Sequence, residues 1–268
     1  MAYPGPSLPK VTSPLLRSGG RIVLDAVFPR GCVVCEAPLE KKSAESGVSE
    51  WICEVCAGEM DRIEPPYCSI CGESFDGPMT REFACSNCEG RRMAFDFAIS
   101  AFKARGPLRE LIHQFKYSRD LALRGVLTEI LKPALHDPRL AVEDLSEWLL
   151  VPVPLHFLRE MRREFNQSWE LCRQLSLVTG IPAVKALRRT RLTSTQAKLH
   201  RRERLENLRG IFALSLALPW RPRPDLRGRK ILLVDDVLTT GATANECAKV
   251  LKREAGAEKV VVITAARG

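Results

Sequence analysis

Eight of the ten cysteines in this 268-residue chain fall into four Cys-x-x-Cys pairs: Cys32/Cys35, Cys53/Cys56, Cys68/Cys71 and Cys85/Cys88. The pairs are separated by 17, 11 and 13 residues. No other feature constrains the fold as tightly. A turn of this kind points two thiolates at one ion, and two turns complete a tetrahedron around zinc. The first two pairs and the last two pairs therefore encode two successive four-thiolate sites. A single pair would also fit a redox turn, but four pairs in a span of 57 residues point to metal. Gly31 precedes the first knuckle, Gly72 follows Cys71 and Gly90 closes the last one. Such a ribbon has too little apolar residue to fold alone, and roughly 10–16 kcal/mol of metal binding per site supplies the missing stability. Four thiolates leave no open coordination position, so both zinc ions are expected to be structural. Trp51, Tyr67, Phe75 and Phe83 lie between the knuckles and read as the filling of a thin core.

Cys172 and Cys247 stand apart. Cys172 is in helical phase with Leu158, Phe165, Ser168/Trp169 and Leu175, and Cys247 sits beside Ala244, Val250 and Leu251. Both read as buried core thiols. Hydrophobic residues make up 45% and charged residues 27% of the chain, which excludes collagen, coiled coil and wholesale disorder. No apolar run approaches the eighteen or so residues of a membrane span, since the longest, 211–218, ends at Pro219. Near the N-terminus the apolar residues are interrupted by Arg17, Gly19-Gly20, Arg21 and Asp25, unlike the continuous core of a signal peptide. Residues 20–28 are expected to form a short amphipathic helix after a loose tail. The expected location is the cytoplasm, where reduced thiols favour metal over disulfides.

From Ala94 onward the pattern becomes an alternation of strands and helices. Phe95, Phe97, Ile99 and Ala101 alternate as in a strand. Gly106-Pro107 opens a helix with Leu108, Leu111, Ile112 and Phe115 on one face. A second helix is expected over 121–131, stopping near Pro133, then a strand over 148–153. One long helix is expected over 156–178, closed by Gly180 and Pro182, and a further strand over 183–187. The last unit reads as strand 228–236, helix 242–254 and strand 259–265, a right-handed parallel crossover. The division is then a tail and helix over 1–28, a double zinc ribbon over 29–92 and an α/β sheet domain over 93–268.

The sharpest chemical signal lies in that last unit, Ile231-Leu232-Leu233-Val234-Asp235-Asp236-Val237-Leu238-Thr239-Thr240-Gly241-Ala242-Thr243. Four apolar residues in a row suit a parallel strand buried on both faces. Two carboxylates follow at its carboxyl end, where open α/β sheets place ligands. The loop beyond them has three hydroxyls and a glycine and runs into a helix, whose N-terminus is a ready anion cradle. Paired acids beside a phosphate cradle suit a sugar phosphate. The Gly-Lys-Ser/Thr of a Walker loop is absent.

This stretch resembles the phosphoribosyl pyrophosphate signature of type I phosphoribosyltransferases. With the preceding double zinc ribbon, the chain is similar to members of the ComF competence-protein family. Three further stretches carry the resemblance. They are Ile112-His113-Gln114-Phe115-Lys116-Tyr117; Val151-Pro152-Val153-Pro154-Leu155 with Arg163 and Phe165-Asn166-Gln167; and the basic segment with Arg188, Arg191, Thr193, Gln196, Leu199, Arg204 and Asn207. One departure is visible, because the family often has glycine where this chain has Glu164. If that glycine served close backbone packing, the carboxylate must be accommodated.

The resemblance implies a type I phosphoribosyltransferase-like parallel sheet flanked by helices. It assigns ribose hydroxyl binding to Asp235 and Asp236, and the 5-phosphate to Thr239, Thr240, Gly241, Ala242 and Thr243. Val153 and Pro154 take the pyrophosphate position, and a mobile basic loop over 188–204 carries Arg188, Arg191 and Gln196. A magnesium ion would accompany phosphoribosyl pyrophosphate or a related sugar phosphate, and the chemistry would be displacement at the anomeric carbon. It also implies a role in natural transformation, with single-stranded DNA and DNA-uptake or recombination proteins as partners. The alternative is a non-catalytic DNA- or partner-binding factor that retains the pocket.

The charge distribution bears on that choice. The formal charge of +9 combines −3 over residues 1–95 with +12 over residues 96–268. Eight thiolates and two Zn²⁺ would bring the ribbon to about −7. Residues 185–230 alone carry 14 basic and 3 acidic side chains. That segment, not the ribbon, is the expected reader of phosphates.

Overall fold

The computed structural model describes residues 31–39, 51–75, 77, 83–117, 123–191, 210–217 and 223–268. The helix expected over 20–28, Gln196 and most of the expected basic loop lie outside them. The chain divides into two compact units, Met1–Cys53 and Glu54–Gly268. In the first, the backbone turns tightly at a cysteine knuckle. Cys32 N–H donates to the Ala37 carbonyl, and Glu36 N–H to the Cys32 carbonyl, each at 2.8 Å.

The second unit begins with a short helix, α1 (Glu54–Gly58), and is organised by a four-stranded sheet. Its strands are β1 (Phe97–Lys103), β2 (Leu149–Pro152), β5 (Lys230–Leu238) and β6 (Lys259–Arg267), in the order β1-β6-β5-β2. Every pairing is parallel, with Ile231 opposite Val260 and Leu149 opposite Ile231. The runs Ile231–Val234 and Val260–Ile263 are wholly buried. That is the burial on both faces which their unbroken apolar sequence requires. Helix α6 (Ala242–Arg253) lays Ala244, Cys247, Ala248 and Leu251 into a core with Leu149, Val151, Ile231, Leu233, Val260 and Val262. Helices α3 (Leu123–Leu131) and α5 (Gln167–Thr179) pack on β6, β5 and β2. Helix α2 (Gly106–Tyr117) buries Leu108, Leu111, Ile112 and Phe115 as its spacing predicts. Cys172 and Cys247 are core thiols, pushed well above the ordinary thiol range by burial.

Three expectations need correction, the first being the aromatic filling of the ribbon, since Trp51 and Phe75 are exposed at 42% and 44%. The helix expected over 156–178 is two helices, α4 (Phe157–Arg163) and α5. Glu164 breaks it with a left-handed φ of 69°, and Asn166 restarts it by accepting N–H bonds from Ser168 and Trp169. The break takes Leu158 off the Cys172 face and leaves it 53% exposed. The strand expected over 183–187 is also shifted. Ala183 makes one bridge to Leu150, and the strand proper, β3 (Leu187–Arg189), pairs antiparallel with β4 (Phe212–Leu214).

The second cysteine set belongs to the same unit as the sheet. Ala98 N–H donates to the Ile70 carbonyl, Ile63 N–H to Ala101 and Lys103 N–H to Asp61. The Arg139 guanidinium stacks between the Tyr67 and Phe97 rings at 4.9 and 4.6 Å. It also pairs with Asp137 at 2.8 Å and donates to the Ser69 carbonyl. Among the described residues no helix is long and apolar enough to cross a membrane.

Candidate functional site

The eight paired cysteines form two groups, Cys32/Cys35/Cys53/Cys56 and Cys68/Cys71/Cys85/Cys88, with the sulfurs of each group within 4.8 Å of one another. Cys35 Sγ and Cys53 Sγ are 3.6 Å apart, as are Cys71 Sγ and Cys85 Sγ. Zn–S bonds of about 2.3 Å in a tetrahedron demand S···S edges of about 3.8 Å, so both groups fit zinc. Backbone N–H groups support the ligands, with Cys53 donating to Cys32 Sγ and Cys85 to Cys68 Sγ. Burial raises the Cys68 thiol, but N–H donors from Cys71, Cys85 and Ile70 outweigh it and hold it at about 7. The eight cysteines thus make two four-thiolate groups.

The carboxylate pair lies at the far end of β5. Pairing with β2 stops at Pro152↔Val234, and Val153 N–H closes it on the Val234 carbonyl at 2.9 Å. Beyond that point β5 runs on against β6 alone, with Asp235 opposite Thr264. The two acids therefore emerge where the sheet opens. Asp236 is buried, and Lys116 Nζ from the end of α2 meets its Oδ2 at 2.9 Å. Asp235 accepts from Ser168 Oγ at 2.9 Å and from the Asp236 backbone N–H at 3.0 Å. Burial, reinforced by the neighbouring Asp236 charge, pushes the Asp235 carboxyl up to about 7 against the pull of Lys116 and Ser168. It is poised to hold or release a proton near neutrality.

Thr239 and Thr240 follow after Val237 and Leu238, and Gly241 starts α6 at a φ of 73°, a conformation that favours glycine. Thr240 Oγ1 accepts from Ala242 N–H at 3.4 Å. The first turn of α6 leaves its leading N–H groups available to an anion. Asn166 ties the remaining wall together. Its Nδ2 donates to the Val153 carbonyl at 3.1 Å while its Oδ1 caps α5, the helix that carries Ser168 to Asp235. Pro154 and Arg188 share a cavity of about 180 Å³ with Asn166, Lys185, Leu187 and Arg189. Arg188 is fixed in β3 and donates to the Leu214 carbonyl. Arg191 is exposed beyond the strand, and its carbonyl accepts from Arg189 Nε.

The structure thus brings Asp235, Asp236, Val153 and the 239–243 loop to one end of the sheet. Lys116, Ser168 and Asn166 were not among the expected site residues. Lys116 and Asn166 lay inside stretches that carry the family resemblance, which is the one signal that could have singled them out.

Comparison with known proteins agrees with this architecture. The double zinc ribbon domain family matches residues 23–89, and the phosphoribosyl transferase domain family matches residues 150–268. The first match and the two four-thiolate groups together support two structural zinc ions. Competence protein F of Haemophilus influenzae is 31% identical over 215 residues, covering 80% of this chain and 90% of that protein. The chain belongs to the ComF family. A second relative, DNA utilization protein YhgH of Escherichia coli strain K12, is 34% identical over 233 residues, with coverages of 85% and 93%. Competence protein ComFC of Bacillus subtilis is 24% identical, with coverages of 88% and 94%. Among solved structures, the allosteric regulatory enzyme of purine biosynthesis matches 57% of this ComF-family chain and 29% of its own, at 19% identity and a TM-score of 0.35. The fold is a phosphoribosyltransferase-like parallel sheet joined to a double zinc ribbon.

Proposed function

We propose that this ComF-family protein binds phosphoribosyl pyrophosphate with Mg²⁺ at the open end of β5 and serves DNA uptake from the cytoplasm. One observation carries the reading: two carboxylates placed past the end of β2, held by Lys116 and Ser168, lead straight into a glycine-started helix. Asp235 and Asp236 accept the ribose hydroxyls, and the N–H groups and hydroxyls of 239–243 receive the 5-phosphate. Val153 and Pro154 border the pyrophosphate, with Arg188, Arg191 and Gln196 as its cationic and polar partners. Mg²⁺ would neutralise pyrophosphate oxygens while needing few protein ligands. The reaction class is displacement at the anomeric carbon with pyrophosphate leaving, assisted by charge aimed at the leaving group. The relatives named for competence and DNA utilization support the cellular role.

Calorimetry with Mg²⁺ and phosphoribosyl pyrophosphate tests the pocket. Binding is expected, and the Asp235→Asn/Asp236→Asn double variant abolishes it. Absence of binding to the parent protein refutes the reading. The charge of the 185–230 segment favours a second reading, a pocket-bearing protein that holds single-stranded DNA without catalysis. Its affinity for DNA then falls steeply with salt, with a slope that shrinks in Arg201→Ala/Arg202→Ala. Salt-independent binding would argue against it.

A further inference from the structure

Arg267 closes β6, and its side chain is 4% exposed. One face of the guanidinium serves the second cysteine centre, since Nη2 lies 3.7 Å from Cys71 Sγ and 2.5 Å from Glu73 Oε2. The other reaches the start of the 239–243 loop, since Nη1 donates to the Gly268 carbonyl and, at 3.0 Å, to the carbonyl of Leu238, which also accepts the Gly268 N–H at 2.9 Å. Nε is buried with no hydrogen-bond partner among the described residues. A cation in such a place is costly unless its partners are fixed. Four thiolates around Zn²⁺ carry a net charge of −2, and Arg267 faces that charge directly. A second route runs alongside. Met93 packs on Cys68, Cys71 and Cys88, and Phe95 Cζ and Met93 Cε lie 3.6 and 3.7 Å from where a β-carbon on Gly241 would sit. Between them, Ala94 N–H donates at 2.7 Å to Asn245 Oδ1 in the first turn of α6.

We propose that Arg267 is a positioning residue that links metal occupancy of the second thiolate centre to the order of the 239–243 loop. With zinc bound, the guanidinium is anchored by Cys71 and Glu73 and pins the Leu238 carbonyl. When the metal leaves, the net charge of the centre is lost, Glu73 alone is left to anchor the guanidinium, and the loop loosens. The consequence for ligand affinity rests on the sugar-phosphate reading above; the link between the centre and the loop does not.

Amide hydrogen exchange and zinc release to a chromogenic chelator, measured on the zinc-loaded protein, decide the matter. Loss of the charge-assisted bonds in Arg267→Met should speed exchange over 238–245 about tenfold. Exchange over 149–152 should change less than about twofold, and one of the two zinc ions should leave about tenfold faster. A folded Arg267→Met protein with unchanged loop exchange overturns the proposal. If that variant does not fold, the half-exposed partner decides: Glu73→Gln should produce about a threefold change at the same amides, and no change there overturns it equally. In a further arm, Mg²⁺ with phosphoribosyl pyrophosphate slows loss of that zinc in the parent protein but not in Arg267→Met, as linkage requires. Absence of binding to the parent protein would sink the sugar-phosphate reading alone, because the exchange result is independent of ligand.

Discussion

Asp235→Asn should make the protein more stable above neutral pH while removing its ligand binding. The carboxyl titrates at about 7 in the folded protein against 3.8 for its ordinary value. The folded state therefore holds a proton that the unfolded chain releases between about pH 4 and 7, and stability falls as pH rises through that window. At about 1.4 kcal/mol per pH unit, the interval from pH 5 to 7 costs about 3 kcal/mol, and above pH 7 the loss is complete. Asparagine keeps the acceptor for Ser168 Oγ and carries no charge to bury. Desolvating its amide costs about 1 kcal/mol, a term independent of pH. Denaturant unfolding of parent and variant at pH 5 and pH 8, with zinc in excess, reads the effect on the Asp235–Asp236 pair, because every titrating group outside that pair is shared. The stability difference should move by about 2–3 kcal/mol in favour of the variant between the two pH values. A difference that stays flat would refute the argument that Asp235 is held protonated by burial and by Asp236.

The purified chain should carry two zinc ions, and Cys68→Ser should reduce this to one and lower the melting temperature, read by metal analysis and calorimetry. Asn166→Ala removes both the cap of α5 and the tie to the Val153 carbonyl. A loss of about 2 kcal/mol is expected in denaturant unfolding, with weakened sugar-phosphate binding because Ser168 is no longer held against Asp235. Glu164→Gly should raise stability by about 0.5 kcal/mol. It relieves a left-handed residue worth about 1–2 kcal/mol, against a larger unfolded-state entropy; a loss would show that the Glu164 side chain contributes more than its backbone costs.

The strands that form the floor of the site were legible because their environment is uniform. Ile231–Val234 and Val260–Ile263 are buried on both faces, and only an unbroken apolar run satisfies that condition. The zinc ligands were legible because metal geometry acts over short, fixed spacings. The split between α4 and α5 was not, because apolar periodicity continues from Leu158 to Leu175 and the break falls on a glutamate, a residue that does not advertise a positive φ. The partners of the acids escaped for a different reason. Lys116 and Ser168 meet Asp236 and Asp235 from helices far away in sequence, and no local pattern encodes such a meeting. Nothing in the local sequence singles out Arg267, and only the folding of β6 brings it between Cys71 Sγ and the Leu238 carbonyl.

The hydrogen bonds between β1 and residues Asp61, Ile63 and Ile70 have a consequence for solubility. A four-stranded sheet has two rims of unpaired backbone, each a template for another chain. On one rim, Leu150 exchanges bonds with Pro182 and Val184. On the other, Arg62 and Phe102 bridge antiparallel, so the polypeptide around the second metal centre acts as a guard rail along β1. A fragment beginning at residue 93 would keep the sheet and lose the rail. Its β1 backbone would stand open along its length, and it should self-associate. The polypeptide around the second metal centre thereby covers an open sheet edge as well as holding a ribbon in shape.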